Sequence, residues 1–386
     1  MESHSDYSHL LTLVRGYCPR LTADKKEIKD FPKSPSATSF IRKTLSAVAE
    51  NTFGGKNNMK KSSVIIIVIV IITILLLGCS NSSEPNTTID YRQEMRNFVQ
   101  GISVYAKGLV PNFIIIPQNG HELLTEDGKE NGTPATAYLN SIDGVGREDL
   151  FYGYYEDNVP TPASERNHMI AFMDIAESND VEVLVIDYCS THSFVDDSYA
   201  QSAAKGYISF AADHRELDNI PAYPLNPYNI NNFNVNSLKE AKNFLYLINP
   251  GSFPNKEAFL DAVRKTNYDI VIIDLFYNGI MLTANEVASL KIKANGGSRL
   301  VIAYMSIGEA ENYRYYWRTE WRTKPPSWLA EENPDWPGNY KVRYWDKDWQ
   351  NIIYGRDDSY LKKILDAGFD GVYLDVIDAF EYFENQ

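Results

Sequence analysis

The chain has 386 residues, 44% hydrophobic and 23% charged, with a formal net charge of −14. This is a globular composition, long enough for one large domain or two small ones. Its acidity argues against a nucleic-acid partner, and three cysteines (Cys18, Cys79 and Cys189) exclude both a disulfide framework and a thiolate metal site.

Residues 1–58 show no sustained periodicity and read as a non-native or disordered extension. Met59-Lys60-Lys61 then leads into an uncharged apolar run from Val64 to Leu77, closed by Gly78-Cys79-Ser80. A basic start, a short apolar stretch and small residues make a secretory signal over 59–78, too short to span a membrane comfortably. Leu76-Leu77-Gly78-Cys79 resembles the bacterial lipobox, which makes Cys79 the lipidated first residue of a secreted, membrane-anchored chain. Residues 1–78 hold 11 Lys and Arg and 6 Asp and Glu, leaving 26 and 45 beyond them, a net of −19. An acidic surface of this kind attracts a cationic polymer.

Residues 79–89 form a polar tether to a single domain over 90–386. A helix is predicted from about Asp90 to Lys107, with Met95, Phe98, Val99 and Ile102 on one face. Phe113 to Pro117 reads as a buried strand ended by Gln118 and Asn119, and Asp143 to Tyr152 as the next. A helix around Met169 to Ile175 leads to a strand from Val181 to Asp187, and an Ala-rich helix leads to another from Gly206 to Ala211. Residues 214–240, rich in Asn and Pro, break this rhythm and read as a joining loop. Strands are predicted again at Asn243–Asn249, Asp269–Asp274 and from Leu300, with helices near Lys256–Lys265 and Ala284–Ala294 between them. A helix stopped at Gly368 precedes the last strand, Gly371 to Asp375. Eight apolar strands alternating with helices indicate an α/β chain folded as a (β/α)8 TIM barrel. An open doubly wound sheet usually carries a Gly-rich phosphate turn after its first strand, and none is present.

In such barrels the carboxyl ends of the strands form the active face. Here they carry Gln118 and Asn119, Glu148, Asp187, Asp274, Glu309 and Glu311, and Asp375 and Asp378. Carboxylates converging on one mouth push each other's pKa values apart, supplying the protonated acid and ionised base that glycoside hydrolysis needs. An excursion from about Glu311 to Asp357 holds all six tryptophans, Trp317 and Trp345 among them. Flat rings stack on sugars, so this segment is expected to be a carbohydrate platform as well as a small satellite core. The histidines, including His121 and His168, show no metal spacing, and no metal or organic cofactor is expected. Cys189 follows Asp187 and is expected to be inert.

Three stretches of the second half stand out as motifs: Ile302-Ala-Tyr-Met-Ser-Ile-Gly-Glu-Ala-Glu311, Pro326-Ser-Trp-Leu through Asn333-Pro334, and Gly338-Asn-Tyr-Lys-Val-Arg-Tyr-Trp345. Gly371-Val-Tyr-Leu-Asp-Val-Ile-Asp378, Ile114-Ile-Ile-Pro-Gln-Asn-Gly120 and Asp143-Gly-Val-Gly-Arg-Glu148 complete the set. Together they resemble the endo-α-1,4-polygalactosaminidase-like glycosidases, glycoside hydrolase family 114 and its extracellular relatives. The resemblance implies a TIM barrel that cleaves α-1,4-linked galactosamine polymers, with Asp375 and Glu148 as the catalytic pair. Glu309, Asp274, Asp187, Asp378, Tyr304, Gln118, Asn119, Trp317 and Trp345 are then the expected substrate contacts. In the relatives the segment like 241–386 comes first and that like 90–213 second, so the chain is expected to be circularly permuted. A non-catalytic glycan-binding lipoprotein and an exo-acting α-galactosidase-like enzyme are the competing expectations.

Overall fold

The computed structural model describes residues 89–386, which form one compact unit. The extension, the signal segment, Cys79 and nearly all of the tether lie outside the described residues. Among the described residues no helix is long and apolar enough to cross a membrane.

The first helix, α1 (Tyr91–Leu109), starts where Asp90 accepts the Gln93 N–H at 2.9 Å and buries Met95, Phe98, Val99, Ile102 and Ala106 on one face. Strands β1 (Ile114–Pro117), β2 (Gly144–Glu148), β3 (Glu182–Tyr188) and β4 (Ile208–Ala212) follow. Helices α2 (Ala163–Ser178) and α3 (His192–Lys205) separate the last three. In the second half come β5 (Phe244–Leu247), β6 (Ile270–Asp274), β7 (Leu300–Ser306) and β8 (Gly371–Asp375). Their helices are α4 (Lys256–Arg264), α5 (Ala284–Leu290) and α6 (Tyr360–Asp366). Asn255 accepts the Ala258 N–H at 2.9 Å to start α4. The α5 helix begins in a Thr283–Glu286 capping box. It ends at Leu290, short of the predicted Ala294, and Lys293 turns inward to a fully buried ion pair with Asp269 at 2.8 Å.

Strands pair in parallel as β5-β6-β7-β8-β1 and as β2-β3-β4. Gly371 faces Ile114 in register, so the last strand in sequence is an interior one next to the first. The two sheets meet where Gln118 bridges Gly146 and the Asn119 N–H donates to the Gly146 carbonyl at 2.8 Å. Between β4 and β5 no ladder is formed among the described residues. There the contact is Phe210 against Phe244, ring centres 5.7 Å apart.

The 214–240 segment has no helix or strand before Leu238, yet it does a helix's job. The Leu217 carbonyl accepts from the Ile248 and Asn249 amides at the carboxyl end of β5. Asn231 then donates to Asp269 at the opposite end of β6. The chain thus crosses from the mouth to the base of the sheet, where the other units use a helix.

Candidate active site

Three strand ends at the mouth turn sharply through left-handed backbone: Asn119 (φ 61°) after β1, Asp149 (φ 60°) after β2 and Val376 (φ 60°) after β8. Asn and Asp tolerate this region, but a β-branched valine is strained there. The surrounding structure must hold Val376, and such strain concentrates at functional sites. Gly308 makes the turn possible, because a Cβ there would stand 1.9 Å from the Val376 carbonyl oxygen. Gly146 has a similar role, leaving the space that the Tyr373 hydroxyl fills.

These turns aim Glu148 and Asp375 into one cavity of about 490 Å³. Glu148 accepts from the Asn119 side-chain amide at 2.8 Å and from the Tyr188 hydroxyl. Asp375 accepts from the Tyr304 hydroxyl at 2.6 Å and from the Val376 N–H at 2.8 Å. Burial, with the Glu148 charge behind it, lifts the Asp375 carboxyl to about 7, against the pull of Tyr304. Asp378 lines the same cavity with no side-chain hydrogen bond; burial raises it to about 6, although Arg147 opposes.

The other acids of the cavity are paired. Arg314 binds Asp274 at 2.9 Å and holds Glu311 as well, all three of them buried. Glu309 accepts from Asn333 at 2.8 Å and from Lys341 at 2.9 Å. Gln118 accepts from the Tyr246 hydroxyl at 2.8 Å on the floor.

Asp187 is not brought to the cavity. It is fully buried behind it, accepting from the Phe151 and Tyr152 amides and from Ser198 at 2.6 Å. Nor do Trp317 and Trp345 line it. Trp317 packs between Trp321 and Tyr340, and Trp345 between Tyr91 and Phe383. Trp328 and Trp349 are buried too, so most of the excursion's rings build its satellite core. The excursion itself is a three-stranded antiparallel ribbon of Glu309–Glu311, Asn339–Val342 and Leu329–Glu332. Trp336 and Tyr313, each 61% exposed, are its rings at the cavity. The sequence showed an aromatic-rich loop but not which rings face out, because a ribbon with irregular register has no readable periodicity.

Sequence reasoning also missed two groups. Arg215 clasps Asp149 at 2.7 Å and lies over the Tyr188 ring at 4.2 Å, forming one wall. His121, Glu122 and His168 come together beside the cavity, although 47 positions separate the two histidines. Burial, with Arg147 next in effect, holds His121 down at about 2, neutral. Cys189 is buried and its thiol pushed up, as expected of an inert cysteine.

Residues 232–386 match the family described as Glycoside-hydrolase family GH114. An uncharacterized protein of Methanocaldococcus jannaschii is 40% identical over 182 residues, 46% of this chain and 49% of the relative. An uncharacterized protein of Thermotoga maritima is 40% identical over 124 residues, covering 37% of its length. Another from Deinococcus radiodurans is 41% identical over 128 residues, covering 39%. The chain thus spans at most about half the length of these curated relatives. The family match supports a relationship to glycoside hydrolase family 114, and the parallel α/β fold is consistent with it.

Proposed function

We propose that the protein is a glycoside hydrolase that cleaves a cationic, α-1,4-linked galactosamine-type polysaccharide within the chain. Asp375 and Glu148 are its catalytic carboxylates. The observation that carries this is their unequal setting in one cavity. Asp375, lifted to about 7, keeps its proton near neutrality and can give it to a leaving glycosidic oxygen. Glu148, held by Asn119 and Tyr188, is the partner that acts as base or nucleophile. Two carboxylates in unlike surroundings can serve as an acid and a base from like groups.

The substrate class rests on charge and shape. The cavity holds Glu148, Asp274, Glu309, Glu311, Asp375 and Asp378 against only Arg215, Arg314 and Lys341. This excess of carboxylate favours an amino sugar over a neutral one. Trp336 and Tyr313 also line an adjoining cavity of about 560 Å³, which gives a groove long enough for a polymer.

The Phe210–Phe244 contact and the Gln118–Gly146 bridge support a closed barrel, and the crossing 214–240 segment with a family match confined to residues 232–386 supports permuted order. The lipobox supports secretion and anchoring at Cys79, testable by mass spectrometry of the native N-terminus.

Digestion of polygalactosamine and related polymers, followed by product mass spectrometry, tests the activity. New reducing ends on oligomers are expected. Binding without any cleavage would instead make the protein a glycan-binding lipoprotein.

A further inference from the structure

We propose that His121, Glu122 and His168 form a binding site for one divalent transition-metal ion of the zinc class, on the flank of the sugar cleft. His121 and Glu122 stand in the turn after β1, and His168 stands on α2. One ligand atom from each lies within 4.8 Å of the others. The His121 Nε2 and a Glu122 carboxylate oxygen are 3.6 Å apart. That is close to the edge of a tetrahedron drawn with metal–ligand bonds of about 2.0–2.2 Å.

Three observations besides proximity point to a ligand. The His168 Nδ1 is hydrogen-bonded to the Glu130 carboxylate. A carboxylate on the far nitrogen fixes the tautomer and leaves the Nε2 lone pair free, as outer partners of metal-bound histidines do. The His121 Nε2 and the Glu122 Oε2 are buried with no hydrogen-bond partner. Two such orphans on adjacent residues are unusual, since buried polar atoms are nearly always paired. Finally, the cavity beside them, about 290 Å³, gathers Glu122, Glu165, Asp378 and Glu381 around a single cationic side chain, Arg147. Four carboxylates against one guanidinium leave an excess of negative charge, which a divalent ion offsets.

Two imidazoles and one carboxylate select a borderline ion such as Zn2+ over Mg2+ or Ca2+. Three protein ligands leave a fourth position for water. Arg147 Nη1 stands 3.2 Å from the His121 Nδ1. Metal at Nε2 puts the ring proton on Nδ1, so these two donors would face each other and Arg147 must turn away. Its Nε has no partner to hold it, and Asp378 lines both this cavity and the sugar cleft.

Calorimetric titration of the chelator-treated full chain with Zn2+ tests the assignment. One equivalent is expected to bind, with nitrogen neighbours at about 2.0 Å in X-ray absorption. His168→Gln should weaken binding at least about 100-fold and Glu130→Gln about 10- to 100-fold. Both side chains are about 40% exposed (41% and 42%), so unchanged thermal unfolding of these variants is expected and serves as the folding control. No stoichiometric binding, or binding undiminished in His168→Gln, would overturn the proposal. Binding is the readout, so the result stands apart from whether any polysaccharide is cleaved.

Discussion

The cleft has two sides built from the same residue types and wired in opposite ways. On one, Asp274, Glu309 and Glu311 are neutralised by Arg314 and Lys341 within hydrogen-bond distance. On the other, Glu148 and Asp375 accept only from neutral donors, and Asp378 from no side chain. The paired side is a wall that holds its shape and presents little free charge. On the bare side Asp375 and Asp378 are raised to about 7 and about 6, near the range that acid–base chemistry requires. Partners, and not the count of acids at strand ends, separate scaffold from chemistry.

Neutralising the bare pair should have the largest effect. Asp375→Asn and Glu148→Gln should each lower kcat on the polymer by about 10³-fold or more, with circular dichroism unchanged. Full activity in either variant would remove that residue from the pair. On the paired side the expected damage is to stability. Arg314→Met leaves Asp274 and Glu311 buried without a cation, which costs about 3–5 kcal/mol when one partner of a buried pair is removed. Urea denaturation should show the loss at pH 7. It should shrink at lower pH, because the orphaned carboxylates then take up protons.

Asp375 itself carries a pH signature. Its pKa is raised, from 3.8 to about 7 in the folded protein. A raised carboxyl pKa stabilises the fold fully below about 4, and that contribution is lost as pH climbs through 7. Thermal melts of Asp375→Asn should therefore match the wild type near pH 4 and exceed it at pH 8. Tyr304→Phe tests the same group from its partner. The Tyr304 hydroxyl favours ionised Asp375, so removing it should shift the alkaline limb of the rate profile upward and reduce kcat by about 10-fold. A downward shift would contradict Asp375 as the proton donor.

How much of this was visible in sequence follows from range. The eight strands were legible because buried parallel strands are unbroken apolar runs, and the first helix because its apolar residues recur on one face. Strand-end acids could be located to within a residue, and the structure brings Glu148 and Asp375 into one cavity. Their partners could not be, since Arg314 reaches Asp274 from 40 positions away and Tyr304 meets Asp375 across 71. Asp187 misled for a related reason: it ends a strand like the others, but the Phe151 and Tyr152 amides turn it inward. The His121–His168 cluster left no signal because it joins a turn to a helix from a different unit.

The smallest expected effect separates the aromatic residues of the excursion as the first separated its acids. Trp336 is 61% exposed at the cavity, whereas Trp317 is packed against Trp321 and Tyr340, with ring centres 5.3 and 4.8 Å away. If Trp336 stacks on a sugar beyond the cleavage point, its contact is the same in ground and transition states. Trp336→Ala should then raise KM a few-fold to about 10-fold with kcat nearly unchanged, the mark of uniform binding. Trp317→Ala should leave KM alone and lower the melting temperature, because it opens a gap in a packed cluster. Equal effects of both on KM would mean that the ribbon moves as one piece over the substrate, and that its packed rings bind through its position and not through their own faces.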